Sequence, residues 1–214
     1  LLGMSAAEFR QLAGTIDTIY HNGAVVNLVY PYELMRNTNV KGTEEILRLA
    51  SQVKVKPVHL ISTLDIFQSV YHSRLDTRSE DDQFPASAIP DSGYAQTKWV
   101  AEKLVKAAHA RGIPTCIHRP GMIIGHSQTG CSNTEDQISR LIKGLIQLGS
   151  APAIDLPMHL TPVDYVSQAI VKLAGQQSAW GKAFHLSNPQ PLSMLELVDY
   201  LKSLHYEIRS TDYD

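Results

Sequence analysis

Short apolar segments alternate with helix-like segments along residues 1–125, and this alternation limits the possible folds more than any other feature of the sequence. The apolar segments at 17–21, 57–62 and 115–118 are predicted strands. The segments 32–53 and 94–111 between them carry helical periodicity. Strands that alternate with helices form a parallel sheet with right-handed crossovers. We therefore expect an α/β fold with its chemistry at the carboxyl ends of the strands.

Polar or glycine residues follow each predicted strand. Asn22 and Gly23 follow the first strand, Thr63 follows the second, and Pro120 and Gly121 follow the third. The carboxyl ends of parallel strands meet at one edge of a sheet, and ligands bind at that edge. These residues are therefore expected to lie near one another.

Tyr94 opens the second helical segment, and Lys98 follows four residues later. Side chains at i and i+4 project from the same face of a helix. A nearby ammonium favours the phenolate and lowers the pKa of a tyrosine. Such a pair can exchange a proton with a carbonyl or alcohol oxygen, which is the proton half of a hydride transfer.

Composition and charge exclude several classes of function. The net charge of −2 over 214 residues offers no electrostatic attraction to nucleic acid or to an anionic membrane. No apolar run approaches the roughly 18 residues of a membrane span, and no signal peptide is visible. The cysteines, Cys116 and Cys131, have no metal or redox spacing, so a reduced, cytoplasmic protein is expected. The nine histidines show no metal-binding spacing and are not expected to cluster with cysteine or carboxylates, so we expect no metal site.

The pattern changes after Gly125. Residues 134–148, 163–174 and 193–204 are predicted helices, residues 183–187 a strand, and residues 150–162 irregular chain rich in proline. A long polar stretch at 68–92 is predicted to be a surface loop. We expect residues 126–214 to form a smaller α/β substrate-binding subdomain.

The order of these motifs resembles the extended short-chain dehydrogenase/reductase superfamily. The motifs that carry this resemblance are Thr63 within Ile-Ser-Thr-Leu-Asp-Ile-Phe, then Tyr94-x-x-x-Lys98, then Arg119-Pro-Gly121. Segments 20–24, 39–43, 92–103 and 161–165 are similar to thioester reductase domains. Such terminal reductase domains are the last domains of non-ribosomal peptide synthetases, polyketide synthases and carboxylic acid reductases.

The resemblance implies a role for each motif residue. Thr63 would hydrogen-bond the substrate carbonyl, and Tyr94 would donate the proton. Lys98 would lower the tyrosine pKa and hold the nicotinamide ribose hydroxyls, while Asn39 would support the active-site helix or a proton relay. The residues implied in cofactor binding are Asn22, Gly23, Ala24, Lys98, Pro120, Gly121 and Ile123.

The implied reaction is NADPH-dependent reduction of an acyl or peptidyl thioester, held by the phosphopantetheine of a carrier protein, to an aldehyde. A second hydride transfer would give an alcohol. The chain contains no Gly-x-x-Gly-x-x-Gly, the turn that binds the cofactor pyrophosphate in this superfamily. Residues 1–125 are therefore expected to be the C-terminal part of a Rossmann-type NADP-binding domain. The missing N-terminal half of that domain is an expected partner, and the truncated chain alone is expected to be inactive.

Other interpretations stay open on the sequence. A redox-inactive thioester cyclase, a sugar-nucleotide epimerase or dehydratase of the same superfamily, and a non-catalytic fragment are the alternative functions. Thr63 is also explained as a strand-end hydroxyl that caps a turn, Asn22 and Gly23 as a simple turn, and Asn39 as a helix-surface residue.

Overall fold

The computed structural model describes residues 2–69, 77–82 and 88–212, so much of the predicted loop at 68–92 lies outside the described residues. The chain divides into two compact units. The first comprises Leu1–Pro120 and Ile170–His185, and the second comprises Gly121–Ala169 and Leu186–Asp214. We describe each unit by itself.

A four-stranded sheet forms the centre of the first unit. Its spatial order is β1 (Ile19–His21), β2 (Val58–Ile61), β3 (Thr115–Pro120) and β8 (Ala183–Leu186). The strands β1, β2 and β3 are parallel, with Ile19 opposite Val58 and Val58 opposite Thr115. The predicted α/β fold with a parallel sheet is confirmed.

The helices of the first unit begin where the sequence places capping residues. They are α1 (Ala6–Thr15), α2 (Tyr32–Arg36), a π-helical turn (Asn37–Lys41), α3 (Gly42–Ser51) and α4 (Gly93–His109). Ser5 and Glu8 form a capping box at α1, and the Ser92 side chain accepts from the Ala95 amide at the start of α4. The single helix predicted over 32–53 is instead three consecutive segments, because a π-helical turn interrupts the α-helical hydrogen bonding.

Two apolar clusters join these helices to the sheet. Leu60 and Ile117 of the sheet share one cluster with Ala101 and Val105 of α4. The second cluster comprises Phe9, Ala13, Ile19, Leu49, Ala50 and Val58. Burial of these side chains is the main force that holds the helices against the strands.

The second unit consists of short strands and three helices. These elements are β4 (Met122–Ile124), α5 (Gln137–Leu148), β5 (Ser150–Pro152), β6 (Pro157–Met158), β7 (Leu160–Pro162), α6 (Val163–Ala174), β9 (Leu192–Ser193), α7 (Met194–Ser203) and β10 (Arg209–Thr211). The helix α6 continues into the first unit. Strands β4 and β7 pair in parallel, as do β5 and β10, and β6 pairs antiparallel with β9. A separate apolar core, which includes Leu145, Met158 and Leu197, holds this unit together.

The structure departs from the sequence expectation in two further places. The segment 150–162, predicted to be irregular, contains β5, β6 and β7, because each pairs with a strand far away in sequence. The two compact units also differ from the expected division of the chain into residues 1–125 and 126–214. Residues 170–185 return to the first unit, because β8 lies beside β3 in its sheet. In the part of the chain that the structure describes, no helix combines the length and apolar character needed to cross a membrane.

Candidate active site

Helix α4 carries Tyr94 and Lys98 in its first two turns, and both residues are buried. The helix starts at Gly93, which lies against the backbone of residues 30–32. A Cβ atom added to Gly93 would come closer to the Tyr30 carbonyl oxygen than real Cβ atoms come. The close approach therefore requires glycine at the first position of α4.

Lys98 reaches the carboxyl end of β2. Its Nζ atom donates a hydrogen bond of 2.5 Å to the Ile61 carbonyl oxygen. Burial lowers the pKa of Lys98 to about 8, because the interior disfavours the charged ammonium. His21, at the end of the neighbouring strand, is close enough for the lysine charge to act on it. Burial and Lys98 together lower the pKa of His21 to about 4, so the imidazole is neutral at neutral pH.

The Tyr94 phenol is held in its protonated form. Burial and the Asp65 carboxylate raise the pKa of Tyr94 to about 12. Burial in turn raises the pKa of Asp65 itself. The pKa of Tyr94 is thus shifted upward, opposite to the direction expected from Lys98, because desolvation of the phenolate and the neighbouring carboxylate dominate.

Thr63 lies two residues after the end of β2 and is buried. Its Oγ1 atom accepts a 3.1 Å hydrogen bond from the Asp65 amide and caps a short 3-10 helix, Leu64–Phe67. The hydroxyl therefore does cap a turn, as one of the sequence interpretations holds. Accepting this bond uses an oxygen lone pair and not the hydroxyl proton, so capping is compatible with donation to a substrate.

Asn39 links the chain after β1 to helix α4. The residue lies in the π-helical turn and is 2% exposed, so it is not a helix-surface residue. Its Oδ1 atom accepts from the Val25 amide at 2.8 Å, and Nδ2 donates to the Val25 carbonyl oxygen at 2.9 Å. The same Nδ2 donates to Thr97 Oγ1 at 2.9 Å, and Thr97 donates to the Tyr94 carbonyl oxygen. These contacts are what a residue that supports the active-site helix would make.

We expect Asn39→Asp to destabilise the chain by about 2–3 kcal/mol, because a buried carboxylate cannot donate to the Val25 carbonyl and Thr97 Oγ1. Urea unfolding measures this loss. Asn27→Asp is the matched control, since Asn27 Oδ1 only accepts, from the amides of Val29 and Tyr30. Equal stability of the two variants would show that the donors of Asn39 contribute nothing.

We expect Lys98→Met to change how stability depends on pH. The pKa of Lys98 is about 8 in the folded chain and 10.5 in its reference state, so the unfolded chain binds more protons between these values. The free energy of unfolding of the parent chain therefore rises from pH 8 to pH 10.5, by about 3 kcal/mol from this residue. The stability of the parent relative to Lys98→Met should rise by that amount across the window, and Lys103→Met on the exposed face of α4 is the control. A difference that is constant with pH would contradict the assignment.

The expected cofactor residues fall into two groups. Asn22, Gly23 and Ala24 form irregular chain directly after β1, and not a tight turn. A Cβ atom on Gly23 would meet no atom within 4 Å. Pro120 ends β3 in the first unit, whereas Gly121 and Ile123 belong to the second unit. The structure thus gathers Thr63, Tyr94, Lys98 and the segment 22–24 at the carboxyl ends of β1 and β2, as the parallel order requires.

The sequence analysis did not predict a buried ion pair between β3 and helix α4. Arg119, next to Pro120, donates from Nε to Glu102 Oε1 at 3.0 Å and from Nη2 to Oε2 at 2.9 Å. Both side chains are almost fully buried. Glu102 lies one turn beyond Lys98 on α4, so this pair ties the active-site helix to β3. The sequence did contain a signal for the buried carboxylate. Glu102 follows Lys98 at i+4, and this spacing places both side chains on the same face of the helix.

The histidines contradict one expectation. His59, Cys116 and His118 form a buried cluster whose possible ligand atoms all lie within 4.8 Å of one another. The prediction that no histidine clusters with cysteine is therefore wrong. His59 is far from the other two residues along the chain, and parallel pairing of β2 with β3 brings them together. The alternation Cys116-x-His118 on one strand face, beside a histidine in another strand, was the signal that the sequence contained.

Comparison with known proteins identifies the family. The NAD-binding family described as "Male sterility protein" matches residues 1–170. A linear gramicidin synthase polypeptide of Brevibacillus parabrevis is 42% identical over 100% of this chain and 4% of its own length. Glycine betaine reductase ATRR of Emericella nidulans is 40% identical over 99% of this chain and 17% of its own length.

A solved structure has the same fold as this chain. The terminal R domain from the myxalamid PKS-NRPS biosynthetic pathway superposes with a TM-score of 0.90 at 46% sequence identity. The match covers 98% of this chain and 53% of the R domain chain. The present chain thus spans about half of that domain and less than a fifth of the two curated relatives.

Proposed function

The chain belongs to the NAD-binding family described as "Male sterility protein", and from this membership we propose that it forms the catalytic part of an NADPH-dependent thioester reductase. Its substrate is an acyl or peptidyl thioester on the phosphopantetheine of a carrier protein. The products are an aldehyde, or an alcohol after a second reduction, and the released carrier thiol. The observation that carries the proposal is the convergence of Thr63, Tyr94 and Lys98 at the carboxyl end of β2.

Thr63 and Tyr94 act on the thioester carbonyl oxygen. The Thr63 hydroxyl donates a hydrogen bond to this oxygen, and Tyr94 gives its phenolic proton as negative charge develops there. At neutral pH the phenol carries the proton that this step requires, since the pKa of Tyr94 lies well above 7. Collapse of the tetrahedral species then returns the hydroxyl proton to the Tyr94 phenolate, breaks the C–S bond and leaves the aldehyde. The departing carrier thiolate takes a proton from solvent and becomes the released thiol.

The residues of this chain fit the nicotinamide end of the cofactor. An ammonium has three donors, and Lys98 uses one of them on the Ile61 carbonyl oxygen, so others can bind ribose hydroxyls. A Cβ atom on Gly23 would meet no atom within 4 Å, so there is room beside this residue in the segment Asn22, Gly23 and Ala24. When bound, NADPH supplies the hydride. Pro120, Gly121 and Ile123 are assigned to the nicotinamide on the family pattern.

The pyrophosphate end requires other residues. No glycine-rich phosphate turn occurs in this sequence. We assign that turn, and the choice of NADPH over NADH, to the N-terminal half of the same reductase domain. The carrier protein and that half are thus the two proposed partners.

The test is a single-turnover experiment with the reductase domain that contains this chain, a carrier-bound acyl thioester and NADPH. Loss of NADPH absorbance together with an aldehyde or alcohol, identified by mass spectrometry, supports the proposal. Release of a cyclised or hydrolysed product without NADPH loss would overturn it in favour of a redox-inactive cyclase. No product at all, with turnover of a nucleotide sugar, would favour an epimerase or dehydratase, and inertness to both would favour a non-catalytic role.

A further inference from the structure

The cluster of His59, Cys116 and His118 has no part in the proposed reduction. It lies within the sheet of the first unit, where His59 is on β2 and the other two residues are on β3. His59 is opposite Cys116 in the parallel register, and Cys116 and His118 alternate onto the same strand face. The register therefore places two imidazoles and one thiol side by side.

The cluster is shielded from solvent. His59 is 1% exposed, and Cys116 and His118 are 0% exposed. Tyr20 stacks on His59 with ring centroids 5.0 Å apart, and Phe184 stacks on His118 at 6.5 Å. Aromatic rings thus flank the histidines on both sides.

The polar atoms of the two histidines are poorly satisfied within the described chain. His59 Nδ1 and His118 Nε2 are 3.3 Å apart and share one proton. His59 Nε2 and His118 Nδ1 are buried and have no hydrogen-bond partner among the described residues. Whichever ring donates, one N–H and one lone pair are left over on the two outer nitrogens. The hydrogen bond between the rings therefore does not fully satisfy these two buried imidazoles.

The spacing of the cluster suits a metal ion. Two nitrogen ligands at about 2.0–2.1 Å from an ion with tetrahedral angles lie about 3.3 Å apart. The separation of His59 Nδ1 and His118 Nε2 equals this value. The third ligand atom, from Cys116, lies within 4.8 Å of the ligand atoms of both histidines.

We propose that His59, Cys116 and His118 form a binding site for one thiophilic d10 metal ion. One thiolate and two imidazoles are ligands that both Cu⁺ and Zn²⁺ accept. With Zn²⁺ the buried site carries one positive charge, whereas with Cu⁺ it is neutral. Because a buried net charge is costly, the site favours Cu⁺. The ion would join the central strands β2 and β3, whose carboxyl ends carry Thr63 and Pro120.

The test uses the Cys131→Ser chain, in which Cys116 is the sole thiol. This protein is titrated anaerobically with Cu⁺ and, separately, with Zn²⁺, each against a chromophoric chelator that competes for the ion. We expect one equivalent to bind, Cu⁺ at least tenfold more tightly than Zn²⁺. A thiolate-to-metal charge-transfer band in the ultraviolet, which only Cys116 can supply, should saturate at one equivalent of Cu⁺.

Stability provides an independent measurement. An ion that binds only the folded chain at a hundredfold excess over its dissociation constant stabilises it by about 2.7 kcal/mol, and the unfolding temperature rises accordingly. Cys131→Ser should keep this rise, and Cys116→Ser should lose it. If Zn²⁺ binds more tightly than Cu⁺, and its stabilisation is kept in Cys131→Ser and lost in Cys116→Ser, the site is supported and the preference for Cu⁺ is overturned. Absence of the charge-transfer band in the Cys131→Ser chain would overturn the site, and this result does not depend on whether Cys116→Ser folds.

Discussion

Replacement of Tyr94 by phenylalanine should lower turnover of a carrier-bound thioester by about 10²–10⁴-fold and leave cofactor affinity close to that of the parent. The substitution removes a single hydroxyl from a buried ring, so the packing of α4 stays in place. Only the proton donor is lost, and the developing charge on the substrate oxygen then has Thr63 alone to stabilise it. Single-turnover NADPH oxidation measures the rate, and fluorescence titration measures the affinity.

Tyr30→Phe is the matched control for this experiment, because Tyr30 is 48% exposed and contacts Gly93 through its backbone. Its rate should equal that of the parent. Near-normal turnover by Tyr94→Phe would remove Tyr94 from the chemistry. Equal losses of rate and cofactor affinity would instead show that the hydroxyl helps to bind the cofactor.

Replacement of Arg119 by methionine should destabilise the chain by about 3–5 kcal/mol, because the Glu102 carboxylate would remain buried without its guanidinium partner. The two charge-assisted hydrogen bonds between them span 3.0 and 2.9 Å in a site from which solvent is excluded. Urea unfolding measures the loss. Arg140→Met is the control, since the Arg140–Glu135 pair is 65% and 75% exposed and contributes at most about 1 kcal/mol.

A double variant shows how much of this loss comes from leaving the Glu102 carboxylate buried without a partner. Arg119→Met combined with Glu102→Leu replaces both charges by apolar side chains of similar volume, and it should recover most of the lost stability. A double variant that is no more stable than Arg119→Met would show that the other contacts of Arg119, to the Glu80 carbonyl oxygen and His185, carry the effect.

The local pattern of the sequence was sufficient for the main elements of the first unit. Short apolar segments between amphipathic helices predicted the parallel sheet. The i+4 spacing of Tyr94 and Lys98 placed both on one face of α4, since helical geometry depends only on the local chain. The parallel order then required Thr63 to lie at the same sheet edge.

Contacts between segments that are distant in the sequence could not be predicted from its local pattern. Strands β5, β6 and β7 are two or three residues long, and each exists because of a partner elsewhere in the chain. Gly93 resembles an ordinary residue at the start of a helix, yet the backbone at 30–32 lies against it. The return of residues 170–185 to the first sheet likewise depends on pairing and not on local composition.

The sequence by itself determined the order of the motifs, the α/β class and the residues of the proton-donating pair, because these follow from residue identity and local periodicity. Only the tertiary structure decided the electrostatics. Burial and Asp65 raise the tyrosine pKa, which the neighbouring lysine alone was expected to lower. The strand register alone brought His59 beside Cys116 and His118. Desolvation and register both depend on what the rest of the fold places around a residue, and no local pattern records that.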